Sequence, residues 1–206
     1  MLRSLFTNSE WKLFRTLSSP AKIQDFLNQL PTNFEVSGEE CKSPRRVLRE
    51  GNAHCMEGAM LAALALRVHG ARPLLLDLCS RRDDDDHIVA AFKDHGCFGA
   101  ISKTNHAVLR YREPVYKTIR ELVMSYFHEY FLQKNGAKTL RCYATVDLSR
   151  FDKRGWMTSE EDVWYVHEHL QQLPHTYIVD ASQIRGLRPA DPIEINAGEI
   201  LEWKSK

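Results

Sequence analysis

The chain predicts an α+β fold in which one long helix of small residues packs on an antiparallel sheet. Three observations carry this expectation. Residues 53–70 are dominated by Ala and Leu, contain no proline, and close on Gly70, which can take the left-handed conformation that ends a helix. Residues 74–78 and 87–92 are short apolar runs bounded by charged or turn residues, the pattern of strands. Lys93-Asp94-His95-Gly96 then has hairpin length, so residues 97–102 return as an antiparallel strand.

Composition sets the frame for these elements. With 206 residues, 43% of them apolar and 27% charged, the chain suits one domain spanning 1–206. Its core is expected over about 44–150, with a helical N-terminal extension over 1–43 and a C-terminal extension over 151–206. Lysine and arginine number 28 against 27 acidic residues, so no field of either sign argues for nucleic acid or an anionic membrane as a partner. The cysteines at 41, 55, 79, 97 and 142 are scattered, odd in number and without CxxC spacing. That argues against a disulfide framework and a structural zinc site, and for a reducing compartment. Residues 1–17 have no uninterrupted apolar core or small-residue cleavage site, and no later run is long enough to span a bilayer, so a cytoplasmic location is expected.

In chain order, Leu2, Leu5, Phe6 and Leu13 read as a docked amphipathic helix rather than a targeting helix. Ser18-Ser19-Pro20 opens a packing helix whose apolar stripe is Ile23, Phe26, Leu27 and Leu30. Residues 32–43 are a polar connector, and Ser43-Pro44 leads through a short helical turn to the central helix, with Asn52 as its expected N-cap. After the hairpin, Pro114 is expected to start an amphipathic helix over 115–131, carrying Val115, Ile119, Leu122, Val123, Tyr126 and Tyr130. Residues 139–146 alternate like a strand. Thr158 with Glu161 reads as a capping box opening a helix to about 173, and 175–179 as a further strand. From Gly186 the chain reads as a tail laid over the surface.

Chemistry is expected where a cysteine meets a histidine. Cys55 lies in the first turn of the central helix, where backbone N–H groups have no intrahelical partner and the dipole favours an anion. A thiolate is the reactive form of cysteine, and a helix N-terminus with a nearby imidazolium lowers the thiol pKa towards neutrality. His87, opening a strand, is the candidate base. His54 adjoins Cys55, but consecutive helical residues point about 100° apart, so it reads as a connector histidine. Asp83 to Asp86 read as a solvated loop rather than a metal cluster, since consecutive aspartates do not converge on one ion. Cys79 and Cys97 read as packing thiols.

Gly51, Cys55, Ala59, Leu61, the Ala-Leu run, Arg67, Gly70, the apolar strand, the strand headed by His87 and a hairpin return carrying Phe98 together resemble the transglutaminase-like superfamily of papain-like cysteine enzymes. The resemblance covers residues 51–105. It implies a papain-like fold in which Cys55 is the nucleophile, His87 its base, and a residue of the next strand orients the histidine. The register that aligns Phe98 puts Ser102 where the superfamily has an aspartate, and Asn105 lies just beyond. Alternation along the strand puts Phe98, Ala100 and Ser102 on one face, and Asp94 at the far end of the hairpin. Ser102 or Asn105 is therefore expected to orient His87. A neutral residue there stabilises an imidazolium less than a carboxylate does, which implies a slow or specialised enzyme.

The reaction expected is attack of the Cys55 thiolate on an amide or ester carbonyl of a peptide or similar substrate, through a thioester that water or an amine resolves. The Cys55 backbone N–H and the Asn52 side chain are the candidate oxyanion donors. This chemistry calls for no cofactor and no metal. Two other readings exist: a binding module that keeps the fold without turnover, and a metal-dependent hydrolase built on the aspartate run and His87.

Overall fold

The computed structural model describes residues 2–36 and 38–204. Ser37, in the expected connector, lies outside them, as do Met1, Ser205 and Lys206. The architecture is α+β, with helices on both faces of one antiparallel sheet.

Four helices precede the sheet. A single 3-10 turn over Leu2–Leu5 leads into α1 (Asn8–Thr16), whose start is closed reciprocally by Thr7 and Glu10. Ser19 caps α2 (Pro20–Gln29), where Pro20 replaces an N–H that would have had no partner, and the Ile23 and Leu27 stripe is buried. Ser43 caps α3 (Pro44–Glu50), which ends at Gly51 with φ of 73°. The long helix is α4 (Cys55–Val68), and every residue from Met56 to Leu66 is buried. A helix apolar on all sides belongs at the centre of a domain. Here it lies between α1, α2 and α3 on one side and the sheet on the other. Gly58 permits the close approach: a Cβ there would run into the Lys103 side chain.

The sheet comprises β1 (Leu74–Cys79), β2 (His87–Asp94), β3 (Cys97–Ile101), β4 (Arg112–Tyr116), β5 (Cys142–Asp147) and β6 (Thr176–Tyr177) in the order β4-β3-β2-β1-β5-β6, with every pairing antiparallel. Leu75, Ile88, Ala90, Phe92 and Val146 face α4, while Leu76, Leu78, Val89 and Ala91 pack with the aromatic segment of α5 (Ile119–Met124) on the opposite face. Burial on both faces explains why β1 and β2 read as continuous apolar runs rather than alternating ones.

The second half departs from the sequence reading in three places. Residues 112–116 form the edge strand β4, not the start of a long helix; Pro114 lacks the N–H that an inner strand would need and is tolerated at the edge. The helix begins only at Ile119, with Thr118 as cap, and breaks into a 3-10 turn over Phe127–Glu129. Thr158 and Glu161 do not cap a helix. The chain turns through 155–159, and α6 (Trp164–Gln172) starts after Val163 without a side-chain cap. The final stretch, read from Gly186 as a tail laid over the surface, carries the short helices α7 (Ala181–Gly186) and α8 (Pro192–Gly198). The helical N-terminal segment packs into the main core through Phe14, Ile23 and Leu27.

Candidate active site

The site lies where the start of α4 meets the first residue of β2 and the chain leaving β3. A cleft of about 420 Å³ opens there, lined by Cys55, His87 and Lys103 together with the aspartate loop, residues 104–109 and the aromatic stretch Tyr130–Phe131.

His54, not Asn52, caps α4. Its backbone is extended (φ −94°, ψ −172°), so the ring folds back over the first turn and Nδ1 accepts the Met56 N–H at 3.2 Å. Glu57, buried at the third helical position, takes the His54 N–H at 3.0 Å in return and also accepts the Lys42 N–H at 3.0 Å. Asn52 instead accepts the Lys42 ammonium on its side-chain oxygen, and it is not among the residues lining the cleft. The cap position also corrects the sequence reading of His54. Helical angular spacing does not apply to a residue outside the helix, and the His54 ring reaches the Cys55 thiol.

Cys55 is half-buried, whereas the other four cysteines are buried. Burial alone would raise its thiol, but hydrogen bonds from His54 and His87, and the charge of both rings, outweigh that and hold it well below the ordinary value. Cys41, Cys79 and Cys142 shift the other way, raised chiefly by burial. His54 is pushed up to about 9: burial lowers it, but the hydrogen bond and charge of the Cys55 thiolate, the Glu57 carboxylate and the Glu40 carbonyl prevail. These two features compete. As a cap, Nδ1 must be bare to accept from Met56; beside a thiolate, the ring gains by taking a proton there and exchanging a neutral hydrogen bond for a charge-assisted one.

The proton positions on His87 follow from its far side. Its Nε2 lies 2.8 Å from Ser102 Oγ, and the same hydroxyl donates to the Leu109 carbonyl at 2.6 Å. A carbonyl only accepts and a hydroxyl has one proton, so Nε2–H must donate to Ser102 Oγ. That leaves Nδ1 for the Cys55 thiol. His87 is 7% exposed and Ser102 1%, so neither contact competes with bulk water.

Ser102 is held by a polar residue of the packing helix that the sequence reading did not single out. Gln24 of α2 accepts the Ser102 N–H at 2.9 Å and donates to the Ser102 carbonyl at 2.8 Å, acting as a one-residue strand partner. Leu109, in a left-handed conformation with φ of 59°, is pinned through its N–H to Glu129 at 2.7 Å, and Glu129 pairs with Arg112. Asn105, the other residue expected to orient His87, does not reach it. Its side chain accepts the Trp203 N–H at 2.8 Å and donates to the Trp203 carbonyl at 2.9 Å, holding the C-terminal segment against the cleft rim. Asp94 sits at the hairpin end beside His95.

The aspartate run does not converge on one point. Asp83 pairs with Arg81, Asp84 accepts from the Thr139 hydroxyl, and Asp86 accepts the Ser80 N–H at 2.6 Å. The Tyr130 hydroxyl donates to the Asp85 carbonyl at 2.6 Å, which ties the loop to the cleft wall beside His87. Thr32, bridged to Ala53 and lining the same cleft, has a buried hydroxyl with no hydrogen-bond partner among the described residues. No protein-family model and no curated protein matches the chain.

Proposed function

We propose that the chain is a cysteine-dependent hydrolase or acyltransferase of the transglutaminase-like, papain-like class, acting on an amide or ester carbonyl. The observation that carries this is that Cys55 is held low by His87, whose Nε2–H is committed to the Ser102 hydroxyl, which leaves Nδ1 as the nitrogen available to sulfur. The Cys55 thiolate attacks the carbonyl carbon; a C–S bond forms, and the C=O electron pair moves to oxygen. The helix-terminal N–H of Cys55 is one donor to that oxyanion, and the unpartnered Thr32 hydroxyl is a better second donor than Asn52. Collapse expels the amine or alcohol, which takes the His87 proton. Water or an acceptor amine, deprotonated by His87, then attacks the thioester and returns the thiol. Cys55 needs its thiol reduced, which fits a reducing compartment such as the cytoplasm.

Peptide-like amides suit a cleft with carboxylates and aromatic side chains on its walls. The near-balanced net charge gives no attraction to nucleic acid. The neutral Ser102 favours one rival, a binding module of the same fold without turnover. Incubation with an acyl-thioester or a chloroacetamide probe, followed by peptide mass spectrometry, separates the two. Label at Cys55 that is lost in His87→Ala supports the enzyme. Equal labelling of Cys55 and the buried cysteines would overturn it.

A further inference from the structure

A second constellation lies on β1 and β5, among residues that do not line the cleft. Asp77 and Cys79 project from the same face of β1, and His175, from the connector before β6, meets them. One carboxylate oxygen, the thiol and a ring nitrogen all lie within 4.8 Å of one another. Cys142 is the register partner of Cys79 on β5 and stands beside this triad without being one of its three members. Asp77 is 3% exposed, yet its Oδ1 has no hydrogen-bond partner among the described residues. A buried carboxylate oxygen without a partner is costly, and such groups are normally paired or coordinated to metal.

We propose that Asp77, Cys79, Cys142 and His175 form a binding site for a zinc-type divalent ion. Two thiolates, an imidazole and a carboxylate make a borderline-soft donor set that selects Zn²⁺ over Ca²⁺ or Mg²⁺. Tetrahedral ligands around zinc lie roughly 3.3–3.8 Å apart, so on binding the triad draws in and the Cys142 side chain turns to supply the fourth ligand. Binding releases the thiol protons to solvent and satisfies the Asp77 oxygen. The ion would tie β1, β5 and the connector to β6, which β6 by itself does weakly with two residues. Sequence spacing hid the site because its ligands come from three elements instead of a CxxC pair.

The site is independent of the reaction proposed for Cys55, and the test keeps the two apart. The reduced full chain, as wild type and as Cys55→Ala, is dialysed against Zn²⁺ and then buffer, and metal is counted by elemental analysis. Cobalt substitution reports thiolate ligation by charge-transfer absorption. One ion per chain is expected in both proteins, with thiolate-to-cobalt bands. His175 is half-buried on a connector, so His175→Ala should fold; it and Cys142→Ser should each weaken binding at least 10- to 100-fold, the range already seen for second-shell changes. Absence of retained metal in folded wild type would overturn the proposal. So would metal that persists in His175→Ala and Cys142→Ser, or that disappears with Cys55→Ala, since it would then sit with Cys55 and His87.

Discussion

Two histidines contact one thiol, and they are distinguishable. His54 caps α4 and His87 is held by Ser102, so their removal should have different consequences. Asn is a strong N-cap, so His54→Asn keeps the helix start while removing a positive partner of the thiolate. The expected result is folded protein whose Cys55 alkylation by iodoacetamide shifts to higher pH, because a low thiol pKa keeps the thiolate present near neutrality and its loss makes reactivity rise only in alkali. An unchanged pH profile would leave His54 as a cap alone. Ser102→Ala removes the acceptor of the buried His87 Nε2–H and the donor to Leu109, which should cost about 1–3 kcal/mol of stability. It should also slow any acyl turnover by roughly tenfold or more by loosening the tautomer, while Ser102→Thr, which keeps the hydroxyl, restores most of both. Denaturant midpoints and single-turnover acylation would check this pair.

The elements carry the site by close packing rather than by their own stability. At Gly58, α4 meets the chain just past β3, where an added Cβ would overlap the Lys103 Cβ and Cγ. In an isolated helix Gly→Ala gains about 1 kcal/mol, yet overpacking a tight contact costs about 1–3 kcal/mol. Gly58→Ala is therefore expected to lower the urea midpoint without changing the slope; a raised midpoint would show that the helix can back away from β3. The same packing shows what was legible in the sequence. The small-residue helix, the β2–β3 hairpin and the face shared by Ala100 and Ser102 all follow from local period. The α5 boundary did not, because Pro114 suits either a helix start or an edge strand, and only its position beside β3 selects the strand.

Lys103 links the site to the stability of the whole chain. Burial lowers its ammonium from 10.5 to about 8, and Arg110 adds to the depression while Glu202 opposes it. A base with a depressed folded pKa contributes stability that is present above its unfolded value and lost as pH falls through the folded one. Near neutral pH the folded state therefore carries a buried cation with one carbonyl partner, that of Leu30 at 2.5 Å. Lys103→Met should raise stability by roughly 1–3 kcal/mol near pH 7, with the difference shrinking towards zero above about pH 10. Thermal unfolding of both proteins across that window measures it; a constant difference would mean that packing rather than charge governs the position.

What the sequence by itself determined is local: the helix that starts near Cys55, the strand that starts with His87, and the alternation that puts Ser102 on the His87 side of its strand. These rest on periods of 3.6 and 2 residues and on turn chemistry, which a short window contains. Only the tertiary structure decided that His54 and not Asn52 caps α4, since local preference favours Asn at a cap and Asn52 is instead engaged by the buried Lys42. It also decided that Gln24 grips Ser102 across 78 residues, that Asn105 belongs to the C-terminal segment, and that β5 inserts beside β1 to bring Cys142 to Cys79. Contacts of such sequence separation are selected by burial and hydrogen-bond satisfaction over the whole molecule, for which no local pattern stands as a signal.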